Sequence, residues 1–146
     1  MAKTLWKNGV IYTPHGIVQG GSLLVGEAGT IEAVGAGSAV AADGAEVRDL
    51  KGHTVLPGLI DVHVHGGYGF GVMNATYEDL DGMSRFHAAH GTTAFLATTS
   101  TAPGEAIEQA LANVKRGMDR GVSGAELIGI HLEGPFINPK RGGAQD

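Results

Sequence analysis

His63 and His65 stand two residues apart at the end of the run Leu56-Pro57-Gly58-Leu59-Ile60-Asp61-Val62, and Gly66-Gly67 follows at once. Side chains two apart on a β-strand share a face, so Leu59, Asp61, His63 and His65 lie on one side and Ile60, Val62 and Val64 on the other. Two imidazoles presented together at a strand end are a donor pair for one divalent ion. Pro57-Gly58 supplies the turn that launches the strand, and Gly66-Gly67 lets the backbone leave it sharply, close to whatever the histidines bind. The same period-two logic applied to the run through Gly129-Ile130-His131-Leu132-Glu133 puts Leu127, Gly129, His131 and Glu133 on one face. Ile128, Ile130 and Leu132 take the other. A carboxylate emerging at that carboxyl end, where Gly134-Pro135 stops the strand, completes a nitrogen and oxygen set that Zn²⁺, Fe²⁺ or Mn²⁺ accepts.

These residues must be positioned by alternating elements. Leu59 to His65 reads as a strand, and Tyr77 to His90 carries Leu80, Met83, Ser84, Phe86 and His87 at helical spacings. Thr93 to Thr99 is a second strand. Pro103 opens a second helix along Ile107, Ala110, Leu111, Val114 and Met118, which Gly121 and Gly124 end. Leu127 to Leu132 is the third strand. Alternation of this kind predicts parallel strands with crossover helices, as an α/β layer fold or a (β/α) barrel. An eight-unit barrel takes roughly 250 residues. Residues 57–146 hold about three units, so the reading is an N-terminal portion of a longer enzyme.

Residues 1–56 have another rhythm. Leu5 to Tyr12, Gly21 to Val25, Thr30 to Val34 and Glu46 to Val55 are short β-prone runs separated by Thr13-Pro14-His15-Gly16, Gly26-Glu27-Ala28-Gly29 and Asp43-Gly44. The last two interruptions are expected hairpin connections, and the whole predicts a small antiparallel sheet or sandwich domain. Ala39 to Ala42 is read as a short helical turn.

Composition narrows the function classes. The 146 residues are 42% hydrophobic, enough for a globular core, and the 25 glycines fall mainly between apolar runs, implying short elements and tight turns. Ten Lys and Arg against fifteen Asp and Glu leave a formal charge of -5, which argues against a broad nucleic-acid surface. The chain has no cysteine, so disulfides and thiolate metal sites are excluded. No apolar window has membrane-span length and the N-terminus lacks a signal-peptide pattern, which makes a cytoplasmic protein the expectation.

Pro57-Gly58-Leu59-Ile60-Asp61-Val62-His63-Val64-His65-Gly66-Gly67 resembles the opening strand of the amidohydrolase superfamily. His131-Leu132-Glu133-Gly134-Pro135-Phe136 is similar to the N-acetylglucosamine-6-phosphate deacetylases within it, as are Gly91-Thr92-Thr93 and Asn138-Pro139-Lys140-Arg141-Gly142-Gly143-Ala144. The resemblance implies a partial TIM-like barrel behind a small β-rich domain, a divalent metal (Zn, Fe or Mn, one or two ions), and hydrolysis of the acetamide of an aminosugar phosphate. Glu133 matches the family's carboxylate ligand, and His63 and His65 match positions that hold a second metal in some members. Gln145 matches a position where some members carry a histidine near the sugar, so it is a candidate substrate contact. The general base and the phosphate grip are expected beyond Asp146, leaving the 146-residue chain without activity of its own. The resemblance also implies a homo-oligomer.

Other features take plainer readings. Asp61 and His131 are assigned hydrogen-bonding roles deeper on the inward face, Asn138 a turn, and His15 and His53 the surface. His87 and His90 are read as solvated groups at a helix end. The competing functions are another cyclic amidohydrolase, dihydroorotase-like or adenine deaminase-like, and a non-catalytic metal-binding or interaction module. The segment Glu133 to Phe136 argues against the first.

Overall fold

A computed structural model describes residues 2–41 and 44–145, and the chain divides into two compact units, Met1–Pro57 and Gly58–Asp146. In the first, strands β1 (Thr4–Thr13), β2 (Gly16–Val25) and β3 (Ile31–Ala36) form an antiparallel meander. Strands β4 (Glu46–Asp49) and β5 (Thr54–Val55) both pair parallel with β1, so the described strands make one mixed sheet of five. The expected antiparallel sheet is therefore corrected. The chain does not fold back from β3 into β4 as a hairpin; β4 lies at the opposite edge of the sheet, beyond β1. Asp43 and Ala42, on which the predicted turn and part of the helical turn fall, lie outside the described residues; a short 3-10 turn occupies Gly37–Ala39. The run from Glu46 to Val55 is split because Lys51 and Gly52 adopt positive φ, 50° and 81°, and turn the chain before β5.

The second unit holds β6 (Leu59–Val64), a small hairpin of β7 (Gly66–Gly67) and β8 (Phe70–Gly71), helix α1 (Tyr77–Ala89), β9 (Thr92–Thr98), helix α2 (Gly104–Arg120) and β10 (Glu126–His131). β6, β9 and β10 form a parallel sheet in the order β10-β9-β6, so consecutive strands are neighbours joined by helical crossovers. Helix α1 starts in a capping box. The Thr76 hydroxyl accepts from the Asp79 N–H at 3.2 Å, and the Asp79 carboxylate accepts from the Thr76 N–H at 2.8 Å. Helix α2 starts after Pro103 and stops at Gly121, whose φ of 78° suits glycine. Its buried stripe of Ile107, Ala110, Val114 and Gly117 faces the sheet side of the unit. A Cβ on Gly117 would stand 2.8 Å from Leu80 Cδ1, so glycine there sets how closely the helices approach. Leu80, Met83, Phe95, Val114 and Leu127 are the centre of the core, with Val64 reaching it from β6. Among the described residues, no helix is long and apolar enough to cross a membrane.

Two expectations about strand faces need correction. Val64 is buried, but Ile60 and Val62 on the same predicted face are 62% and 59% exposed. Among the described residues β6 pairs on one side only, and the core reaches no further along it than Val64. On β10, Leu127 does not share the face of Glu133. Leu127 and Ile130, three apart, both pack into the core, because the pairing with β9 shifts by one residue between Leu127 and Gly129. Past that bulge Ile130 packs against the core and His131 meets Thr98, whereas Leu132 is 51% exposed.

Candidate metal centre

The carboxyl ends of the three parallel strands bring the candidate residues together. His63 is the last residue but one of β6, His65 follows that strand, and Glu133 lies two residues past β10. The His63 Nε2 stands 2.6 Å from Glu133 Oε2, and the His65 Nε2 stands 3.1 Å from the same oxygen. The two Nε2 atoms are 3.1 Å apart. Among the described residues, these three are the group of histidine and acidic side chains with a metal-holding arrangement.

His65 and Glu133 are fixed from behind by the segment that ends β9, and His63 is reached from it through His131. The Ser100 hydroxyl bonds His65 Nδ1 at 3.2 Å, which leaves Nε2 facing Glu133. The Thr99 hydroxyl accepts the Glu133 N–H at 3.1 Å. Thr98, fully buried, accepts the Val64 N–H at 2.9 Å and bonds His131 Nδ1 at 3.3 Å. The His131 ring in turn lies edge-on to the His63 ring, with centroids 4.7 Å apart. Thr98-Thr99-Ser100-Thr101 is thus a scaffold that sequence reasoning passed over. Its signal is four consecutive hydroxyl residues at the carboxyl end of a parallel strand.

Glycines permit this closeness. A Cβ on Gly66 would sit 2.1 Å from the Phe70 carbonyl oxygen, so the hairpin after His65 closes only without a side chain there. Gly134, at φ 76°, brings the chain past Thr101, whose Oγ1 would be 2.4 Å from an added Cβ. The Gly134-Pro135 peptide is cis.

Burial pushes the Glu133 carboxyl up, but the close approach and charge of His63, the charge of His65 and the Gln145 amide outweigh it and hold the group below the usual carboxylate range. It is therefore an anion at neutral pH. Its Oε2 is buried and, despite its nearness to both imidazoles, makes no aligned hydrogen bond. An orphaned carboxylate oxygen crowded by two imidazole nitrogens fits a donor set built around a shared cation rather than around protons. The nitrogen and oxygen donors suit Zn²⁺, Fe²⁺ or Mn²⁺.

Of the other expected residues, Asp61, Asn138, His15, His53, His87 and His90 take roles outside this cluster. Asp61 accepts the His63 N–H at 3.1 Å through Oδ1. Asn138 accepts the Lys140 N–H at 3.0 Å and starts a 3-10 turn. His15 and His53 are exposed in the first unit. His90 bonds the Phe86 carbonyl at 2.7 Å, but His87 is not a solvated group at the helix end: its Nε2 is buried without a hydrogen-bond partner, held against Phe86 and Phe95. Gln145 reaches the centre itself and donates from Nε2 to Glu133 Oε1.

A model of the amidohydrolase family matches residues 54–145, which includes all four residues at this centre. The chain belongs to the amidohydrolase family. This amidohydrolase chain is 50% identical over 103 residues to an N-acetylglucosamine-6-phosphate deacetylase of Bacillus subtilis, a match that covers 68% of the chain and 26% of the relative. It is 52% identical over 90 residues to the enzyme of that name from Vibrio furnissii, covering 62% and 23%. The crystal structure of N-acetylglucosamine-6-phosphate deacetylase from Pasteurella multocida superposes with a TM-score of 0.86 at 26% identity, covering 99% of this chain and 37% of that one. The chain spans about a quarter of the length of the curated relatives it matches.

Proposed function

We propose that a protein carrying this chain hydrolyses the acetamide of N-acetylglucosamine 6-phosphate to glucosamine 6-phosphate and acetate. In this reading residues 57–146 are the first strand-helix units of a (β/α) barrel, residues 1–56 are its β-rich companion domain, and the protein is a cytoplasmic homo-oligomer. The observation that carries the reading is the convergence of His63, His65 and the ionised Glu133 at the carboxyl ends of parallel strands, the end where barrel enzymes place their chemistry. These three residues hold one divalent ion or share in holding two.

The ion, when bound, supplies Lewis acidity toward the amide carbonyl and lowers the pKa of water. Glu133 contributes the negative charge and His65 a nitrogen whose direction Ser100 sets. Thr99 fixes the backbone from which Glu133 projects. Among the described residues Glu133 is the carboxylate of the cluster, and in this reading the proton-transfer group comes from outside it. The 146-residue chain loaded with Zn²⁺ is accordingly expected to bind the ion without releasing acetate.

The test uses the full product of the gene, loaded with Zn²⁺ or Mn²⁺, and measures acetate release from N-acetylglucosamine 6-phosphate. The expected result is metal-dependent turnover that Glu133→Gln abolishes. Ring opening of dihydroorotate or deamination of adenine in place of acetate release would replace the reading with another cyclic amidohydrolase activity. Turnover unaffected by Glu133→Gln would remove the metal assignment.

A further inference from the structure

Glu133 has two carboxylate oxygens with different surroundings. Oε2 is the buried, orphaned atom beside His63 and His65, whereas Oε1 accepts from the Gln145 side chain. Gln145 is itself pinned, since its Oε1 accepts the Thr101 N–H at 2.9 Å. A backbone N–H can only donate, so the oxygen end of the amide must face Thr101 and the NH₂ end must face Glu133. The amide cannot flip without losing both bonds.

The loop that returns Gln145 to this place is closed by turns. Asn138 caps the 3-10 turn Pro139–Arg141, the Arg141 N–H reaches the Asn138 carbonyl at 2.8 Å, and the Gln145 N–H reaches the Gly142 carbonyl at 3.1 Å. Gly143 takes φ 63° between them. A continuous line of directed bonds thus runs from the end of β9, through the loop, to one oxygen of the carboxylate.

We infer that Gln145 is a positioning residue for Glu133: by occupying Oε1 it turns Oε2 alone toward the imidazoles and makes the carboxylate a one-oxygen ligand. This inference rests on the metal reading above and deepens it. Each end of the amide keeps one further hydrogen-bonding site, so this role is compatible with the substrate contact expected for Gln145. Partners of ligating carboxylates typically alter metal affinity by roughly 10–100-fold when removed.

The experiment titrates the 146-residue chain with Co²⁺ alone, following its visible absorption, for the unsubstituted chain, Gln145→Met, Glu133→Gln and the double variant. Gln145→Met keeps the volume and removes the donor, and is expected to weaken Co²⁺ binding by roughly 10–100-fold and to alter the absorption band. In the double variant the Gln145 substitution is expected to add nothing to the loss from Glu133→Gln. Gln145→Met binding within twofold of the unsubstituted chain, while Glu133→Gln is weakened, overturns the inference and leaves the metal site standing. Binding unaffected by Glu133→Gln overturns the metal reading and the inference with it. If Gln145→Met does not fold, proton–nitrogen NMR decides. The Gln145 side-chain amide, one of three glutamines with Gln19 and Gln109, is expected to shift on Glu133→Gln, and an unmoved resonance overturns the inference.

Discussion

Gly134 does at residue scale what no larger residue can. It leaves Glu133 at φ 76° and passes Thr101 with no room for a Cβ, so Gly134→Ala must either strain the backbone or push Thr101 aside. Positive φ in a non-glycine residue costs about 1–3 kcal/mol. The expected outcome is a loss of unfolding free energy of that size, read as a lower denaturation midpoint, together with weaker Co²⁺ binding, because Thr101 also anchors Gln145. Denaturant titration and metal titration of the same sample check both. That His63, His65 and Glu133 come together was legible because alternation is a local property: they need only their strand ends to be parallel neighbours of β9 to meet. The hydroxyl run at 98–101 was not, since a threonine shows its partner only once the neighbouring strands are in register. Gln145 was legible as a residue near the centre, but the direction of its amide depends on Thr101, 44 residues away in sequence.

At the scale of elements, Asp81 ties α1 to the segment that feeds β10. Its carboxylate accepts the Ser123 N–H at 2.7 Å and pairs with Arg85 at 2.6 Å, while Ser84 one turn on accepts the Gly124 N–H at 3.1 Å. The Ser123 backbone bond foremost, with the Ser123 side chain and the charges of Arg85 and Arg120, holds the Asp81 carboxyl below its ordinary 3.8 against the opposing effect of burial. A depressed folded pKa means stability present above the unfolded value and lost as pH falls through the folded one. Asp81→Asn is therefore expected to cost about 1–3 kcal/mol near neutral pH. That difference from the unsubstituted chain should shrink steadily below about pH 4. Urea denaturation at several pH values measures it, and a pH-independent difference would refute the linkage. Helix α2 shows why its boundaries could be read in advance: Pro103 and Gly121 act through φ alone. The parallel pairing of β4 with β1 could not, because a strand's own residues do not state which edge of a sheet it joins.

For the whole molecule, the exposed apolar side chains of β6 are the feature that governs behaviour in solution. Leu59, Ile60 and Val62 are each about 60% exposed on a strand that has a free hydrogen-bonding edge among the described residues. Sequence parity marked Ile60 and Val62 as apolar, but burial depends on whether something packs over them, and in this unit the core ends at Val64. An unpaired apolar strand edge is a template for association between copies. The chain is expected to self-associate with rising concentration, as sedimentation velocity will show. Replacing Ile60 and Val62 together by lysine puts two like charges at that edge, so each copy repels the next. The double variant should then sediment as a monomer, and because both positions lie off the core and away from the His63 face, its Co²⁺ affinity should stay within about twofold of the unsubstituted chain. Self-association that survives the two lysines would place the contact elsewhere, and loss of metal binding would show that the β6 edge supports the centre as well as exposing the sheet.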